Sequence, residues 1–282
     1  MFASRKSRRR LAAVALLAGV AATSAGVGSA AHADEEAENL PPCPEVFGHG
    51  GYPTGPDGWE RDQVRQPNNP TALQDQKDMG ASGVEVDLQL TRDGTKAVMW
   101  HNGSTYWLTG SHANVNTLWW DTGADKLNGR TIEVGPYRDE VVHTLRQFLD
   151  SAHEKTMVPL IEIKPSAEQS LLHSDPAIRD RAWSEVLDPI AERVDRQEIM
   201  MYTHSDNLRP EMVERVTAAG LEAIISPQAN GPVWPDTVAW EEPPPSWEGN
   251  EASWQATLDE EPSRMATTWT REMHDWLEGR CA

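Results

Sequence analysis

Cysteine is almost missing from this chain: 282 residues carry two, Cys43 and Cys281. Two thiols so far apart lack the close spacing of a zinc site. Positive charge is the next shortage, with 25 Lys and Arg against 44 Asp and Glu and a formal net charge of −19. Such a surface repels nucleic acid and anionic membranes and argues against either as a main partner. Long hydrophobic runs are lacking too. The apolar stretch Leu11 to Val20 is short for a bilayer span and is followed by Thr23, Ser24 and glycines, so no stable membrane anchor is expected. No internal repeat is present.

What stands at the N-terminus is a processing pattern. The basic run Arg5-Lys6-Ser7-Arg8-Arg9-Arg10 precedes the apolar stretch, and Ala31-His32-Ala33 offers a cleavage site. Residues 1–33 therefore read as a signal peptide and the protein as secreted; Ser7-Arg8-Arg9 leaves the Sec and twin-arginine routes open. Cleavage after Ala33 leaves 249 residues and takes the net charge from −19 to −24. Residues 34–45 form a leader, and 46–282 suit one domain of barrel size. In an oxidising compartment Cys43 and Cys281 are expected to pair and staple the ends of that domain.

Eight short apolar runs alternate with helical patterns: Val46–Gly48, Gly83–Leu88, Ala97–Trp100, Val158–Ile163, Ile199–Tyr202, Leu221–Ile225, Thr237–Trp240 and Met265–Thr268. Alternation of this kind points to a parallel α/β sheet. Helices are expected over Asn69–Met79, Val141–Glu154, Pro176–Val194, Arg209–Ala219 and Thr270–Leu277. Between Asn102 and Glu140 no helical pattern replaces the one a barrel would have. That stretch reads as a long loop insertion after the third strand. The Trp- and Pro-rich region 227–254 is weakly patterned.

Chemistry-bearing residues cluster at the ends of these runs. His49 closes the first, within Gly48-His49-Gly50-Gly51, and His101 closes the third. In the second, Glu85, Asp87 and Gln89 share one side, while Val84, Val86, Leu88 and Leu90 share the other. Glu162 and Lys164 are two apart and share a face in the same way. Taken singly these are bland: a His before Gly is usually a turn residue, and a Glu-x-Asp pair usually lies on a solvated face. On a central strand, however, the carboxylates are buried and need a partner or a metal. A lysine beside them is either a structural ion pair or an anion contact. Imidazoles titrate near neutrality and suit acid–base work. His204, after the fifth run, also falls where a barrel mouth is lined.

The order His49-Gly50, then Glu85-Val86-Asp87 with Leu90-Thr91-Arg92-Asp93-Gly94, then His101-Asn102, then Glu162-Ile163-Lys164, resembles the glycerophosphodiester phosphodiesterases. The match is close almost throughout Gly80 to Gly94, and it extends from Val46 to Ile225. The resemblance implies a TIM (β/α)8 barrel that binds one divalent cation through Glu85, Asp87 and Glu162. It implies Lys164 and Asn68 as substrate contacts and His49 and His101 as acid and base, with their roles open. A substrate hydroxyl would attack phosphorus in line, and water would open the cyclic phosphate, giving glycerol 3-phosphate and an alcohol. Three carboxylates suit Ca2+ or Mg2+ rather than zinc.

Three positions depart from the family pattern. Gly50 stands where the family has Arg, Pro67-Asn68-Asn69 replaces Glu-Asn with Asn68 the match to the Asn, and Asn102 replaces Asp. These bear on the substrate, a small phosphodiester or a lipid headgroup, more than on the reaction class. The nearest alternative is a related phospholipase D acting on lysophospholipid or sphingomyelin. Those enzymes also lack that Arg, and Arg264-Met265-Ala266-Thr267 faintly resembles part of their C-terminal motif. A second alternative is a catalytically silent binding barrel, against which both histidines and all three carboxylates count. A monomer is expected.

Overall fold

Strands and helices alternate along the computed structural model, which describes residues 42–50, 68–106, 108, 110–133, 137–204, 207–221, 225–228, 238–240 and 251–281, with the backbone alone at 204, 225–228 and 238–240. β1 (Glu45–His49) is followed by α1 (Pro70–Asp78), β2 (Gly83–Leu90) and β3 (Ala97–Met99). Next come α2 (Leu145–Lys155), β4 (Val158–Ile163), a one-turn α3 (Glu168–Leu171) and α4 (Pro176–Ala191). β5 (Met200–His204), α5 (Pro210–Ala218), β6 (Ile225–Gln228) and β7 (Val238–Trp240) follow. The chain ends with α6 (Glu251–Leu258), β8 (Arg264–Thr267) and α7 (Thr270–Leu277). The described residues all belong to one compact unit, Leu40–Ala282. The expected signal peptide, and the leader up to residue 41, lie outside the described residues. Among the described residues no helix is long and apolar enough to cross a membrane.

Seven strands form one parallel path in the order β6-β5-β4-β2-β1-β8-β7. This is the expected α/β class. β6 and β7 are the two ends of the path, and no pairing joins them among the described residues.

The expectation that Ala97–Trp100 supplies the third strand of the parallel set is corrected. β3 pairs antiparallel with β2, with Leu90 opposite Ala97 and Leu88 opposite Met99, and β2 pairs directly with β4. The linker decides this. A parallel neighbour needs a crossover of about a dozen residues or more, and only Thr91 to Lys96 is available. Asp93 and Gly94 turn the chain at positive φ, 54° and 63°. A side chain at Gly94 would meet Ala182 Cβ at 2.4 Å. β3 therefore runs back along β2. Its backbone is also held from the segment before α2: Met99 N donates to His143 O at 2.9 Å, and Val98 bridges Thr144.

That extended segment moves the start of α2 from the expected Val141 to Leu145. Thr144 and Gln147 form a capping box there, with Gln147 N donating to Thr144 Oγ1 at 3.2 Å and Thr144 N to Gln147 Oε1 at 2.9 Å. Between β3 and α2 the chain makes a single 3-10 turn, Val115–Thr117, among the described residues. Trp100, Leu108, Val115, Leu118, Leu127 and Ile132 pack there into an apolar cluster of their own. α6 stands at the end of the Trp-rich region, where the sequence predicts no helix. Residues 229–237 and 241–250 of that region lie outside the described residues.

The two faces of β2 fix the register. All eight of its residues are buried, yet Val84, Val86, Leu88 and Leu90 join Leu145, Phe148, Leu149, Val186 and Ile190 in the layer between sheet and helices. On the opposite face lie Phe47, Leu160, Met200, Tyr202 and Ala266, with the carboxylates along the same face. Gly83 is small because the Phe47 ring occupies its side-chain space; an added Cβ would meet ring carbons at 2.3 Å. A slip of one residue would push Glu85 and Asp87 into the aliphatic layer and forfeit ~1.5–3 kcal/mol for each large aliphatic side chain displaced.

Candidate active site

Register brings the carboxylates together. Across β2 and β4, Asp87 lies opposite Glu162, and across β4 and β5, Glu162 lies opposite Tyr202. Glu85 and Asp87 are wholly buried and Glu162 nearly so. One oxygen from each lies within 4.8 Å of the others. Lys164, two residues beyond Glu162, turns its ammonium back into the group: Nζ is 2.9 Å from Asp87 Oδ1 and 3.0 Å from Glu162 Oε2. Burial pulls the Lys164 pKa down, but Asp87, Glu162 and Glu85 outweigh it and raise it overall, so the ammonium stays charged.

Tyr202 is a member of this site that sequence reasoning missed. Its hydroxyl is 3.0 Å from Glu85 Oε1 and 3.2 Å from Glu162 Oε2, so one phenolic proton serves two carboxylates. Burial, then the charges of Glu85, Glu162 and Asp87, hold its pKa well above the ordinary tyrosine value. It remains a neutral donor. An aromatic residue in a strand reads as packing, and only the β4–β5 register reveals otherwise.

Among the described residues three carboxylates thus face one ammonium, one neutral hydroxyl and the edge of the His49 imidazole. Buried charge must be compensated, and a divalent cation matches the excess. The donor set is all oxygen, as hard cations require. Glu85, Asp87 and Glu162 fit a Ca2+ or Mg2+ ion on these grounds.

His49 ends β1 at the same level, since it pairs in register with Glu85. Its Nε2 is 3.7 Å from Glu85 Oε2 and its Nδ1 is 3.2 Å from Thr268 Oγ1. Gly50 turns away at φ 64°, with its N donating to Glu85 O at 2.8 Å. Asn68 is buried and donates from Nδ2 to Asp87 Oδ2 at 3.0 Å. Among the described residues its Oδ1 is buried without a hydrogen-bond partner.

His101 arrives by a different route from the one expected. It is carried in not at the end of a parallel strand but by β3, which returns along β2 until Trp100 N donates to Asp87 O at 3.0 Å. His101 Nδ1 lies 2.6 Å from Asn102 Oδ1. A carbonyl oxygen can only accept, so Nδ1 carries the proton and Nε2 of the neutral ring is left as a proton acceptor. His204 closes β5, and its side chain lies outside the described residues.

The sequence matches the model of the Glycerophosphoryl diester phosphodiesterase family over residues 66–222. Among solved structures, the chain is similar to the glycerophosphoryl diester phosphodiesterase domain of an uncharacterised Mycobacterium tuberculosis protein, at 12% identity and TM-score 0.50, covering 83% of this chain and 98% of that one. A glycerophosphodiester phosphodiesterase from Agrobacterium tumefaciens matches at 12% identity and TM-score 0.41, covering 83% and 100%. An Oleispira antarctica phosphodiesterase, solved with the product sn-glycerol-3-phosphate, matches at 13% identity and TM-score 0.42, covering 84% and 97%. No curated protein matches the chain. At 12% identity the likeness to the Mycobacterium tuberculosis domain speaks for the fold alone. The family match spans more than half of the sequence and takes in Glu85, Asp87, His101, Glu162 and Lys164, so the chain belongs to the glycerophosphoryl diester phosphodiesterase family and is a phosphoric diester hydrolase.

Proposed function

We propose that the protein is a secreted, metal-dependent phosphodiesterase that converts glycerophosphodiesters to glycerol 3-phosphate and an alcohol. The observation that carries this reading is the buried set Glu85, Asp87 and Glu162 with Lys164 held against it. The seven-strand parallel path is taken as a barrel that closes between β6 and β7, with the stretch between Asn102 and Glu140 as an insertion at its mouth. A cation held by the three carboxylates supplies charge neutralisation at the phosphoryl oxygens.

The chain's own residues do the rest. Lys164 offers its ammonium to a phosphate oxygen, and Asn68 offers its buried Oδ1 to a substrate hydroxyl. His101, with its proton on Nδ1, takes the proton of the attacking glycerol hydroxyl at Nε2. A bond then forms from that oxygen to phosphorus as the bond to the leaving alcohol breaks, and His49 protonates the alcohol. Water opens the resulting cyclic phosphate with the roles reversed.

The phospholipase D alternative gains nothing at the mouth. Arg264 opens β8, at the opposite end from His49, and is paired with Glu45 at 2.8 Å and Glu198 at 2.7 Å. The test is turnover of glycerophosphocholine by the secreted protein, abolished by a chelator and restored by Ca2+ or Mg2+. Turnover confined to lysophospholipid or sphingomyelin vesicles would overturn the substrate class. Activity that survives complete chelation would overturn the metal requirement.

A further inference from the structure

We propose that Gln89 is the positioning residue that sets His101 against the carboxylates of β2. The inference rests on the reading of His101 as an acid–base group. Gln89 lies two residues beyond Asp87 on the same face of β2 and is wholly buried. Its amide nitrogen meets three consecutive backbone carbonyls: Trp100 O at 2.9 Å, His101 O at 3.1 Å and Asn102 O in a still closer contact. Its oxygen accepts from Ser166 Oγ at 2.6 Å. Ser166 sits in the 3-10 turn Pro165–Ala167 that immediately follows Lys164. One buried side chain therefore ties the His101 segment to the strand of Asp87 and to the turn after Lys164.

The orientation of the amide follows from its chemistry. Reversed, its oxygen would face three carbonyl oxygens and its NH2 a single hydroxyl. Residues 100–103 follow β3 without regular secondary structure, so no continuing ladder fixes their height above the site. The carbonyls on either side of His101 and its own are gathered at one point, which restricts where the imidazole can stand. A misplacement of ~1 Å in such a group costs on the order of 10²-fold in rate.

A mutant cycle with glycerophosphocholine tests this, using Gln89→Leu and His101→Ala alone and combined. His101→Ala should lower kcat by at least about 10²-fold. Gln89→Leu should lower kcat by about 10- to 100-fold, with KM and Ca2+ affinity changed by less than about threefold. In the His101→Ala background the same Gln89→Leu change should cost less than about twofold, because the group it serves is gone. A Gln89 loss that persists undiminished in that background overturns the positioning role and leaves His101 catalytic. Unchanged kcat in Gln89→Leu overturns it as well. Unchanged kcat in His101→Ala overturns the acid–base reading and the present one with it. If Gln89→Leu does not fold, Ser166→Ala takes its place, with a several-fold loss in kcat that vanishes in the His101→Ala background; no loss there overturns the proposal.

Discussion

Asp87 and Glu162 stand opposite one another across β2 and β4, and the Lys164 ammonium reaches an oxygen of each. Two acids and a base in such contact neutralise one charge and leave another, with Glu85 adding to the excess. Among the described residues the site thus gathers more negative than positive charge.

Removing one of these acids should therefore destroy cation binding without unfolding the chain. Glu85→Gln and Asp87→Asn keep the side-chain shape but drop the charge. Each is expected to weaken Ca2+ or Mg2+ affinity by more than ~10²-fold, beyond what loss of an outer partner costs, and to abolish turnover. Circular dichroism should stay near native. Either variant binding the ion at wild-type affinity in calorimetry would remove that residue from the ligand set.

The disulfide offers a separate test. Cys43 and Cys281 are joined, with Cα atoms 4.8 Å apart across a sequence separation of 238. One precedes β1 and the other follows α7, so the bridge closes almost the whole of the Leu40–Ala282 unit. Closing so long a loop is worth up to about 5 kcal/mol in the chain-entropy model. The Cys43→Ser/Cys281→Ser variant should unfold at lower temperature and lower denaturant, yet keep its kcat below the transition. Equal denaturation midpoints for the two forms would contradict a stabilising bridge.

Parts of this molecule were legible in the residues and parts were not. The alternation in Gly83–Leu88 placed Glu85 and Asp87 on one face, because a period of two is a local property. Strand direction is not local. Ala97–Trp100 reads as apolar whichever way it runs, and the available signal was the short Thr91–Lys96 link with its Asp-Gly turn. Tyr202 joins the site only through pairing with β4, which depends on residues 40 positions away. The described part of β6, Ile225–Gln228, runs past the expected end at Ile225 for a similar reason, since an apolar run marks burial but not where pairing ends.

His143 links burial to pH. It lies in the segment beside β3, and burial lowers its pKa below 6.5, with the charge of Glu140 only partly opposing. The folded protein then binds fewer protons here than the unfolded chain as pH drops below 6.5. Stability from this group is complete above the unfolded value and is lost as pH falls toward the folded one. Between pH ~7.5 and ~5.5 the wild type should lose more stability than His143→Gln. Identical pH dependence in urea titrations of the two proteins would show that His143 does not titrate differently on folding.

The roles proposed for His49 and His101 can be separated through the leaving group. Asn102 Oδ1 holds the Nδ1 proton of His101, which leaves Nε2 as a base. His49 presents its Nε2 beside Glu85 and its Nδ1 to a hydroxyl that can donate or accept, which suits the acid. On glycerophosphocholine, His49→Ala and His101→Ala should each lower kcat by at least about 10²-fold. The double variant should lose much less than the product of the two, as groups acting together do. With the p-nitrophenyl ester of glycerol phosphate the departing oxygen needs no proton, so the loss in His49→Ala should shrink by about tenfold or more. The loss in His101→Ala should stay the same on both esters, because the attacking hydroxyl must still be deprotonated. Shrinkage in His101→Ala instead would exchange the two roles, and near-wild-type turnover in either single variant would take that histidine out of the reaction.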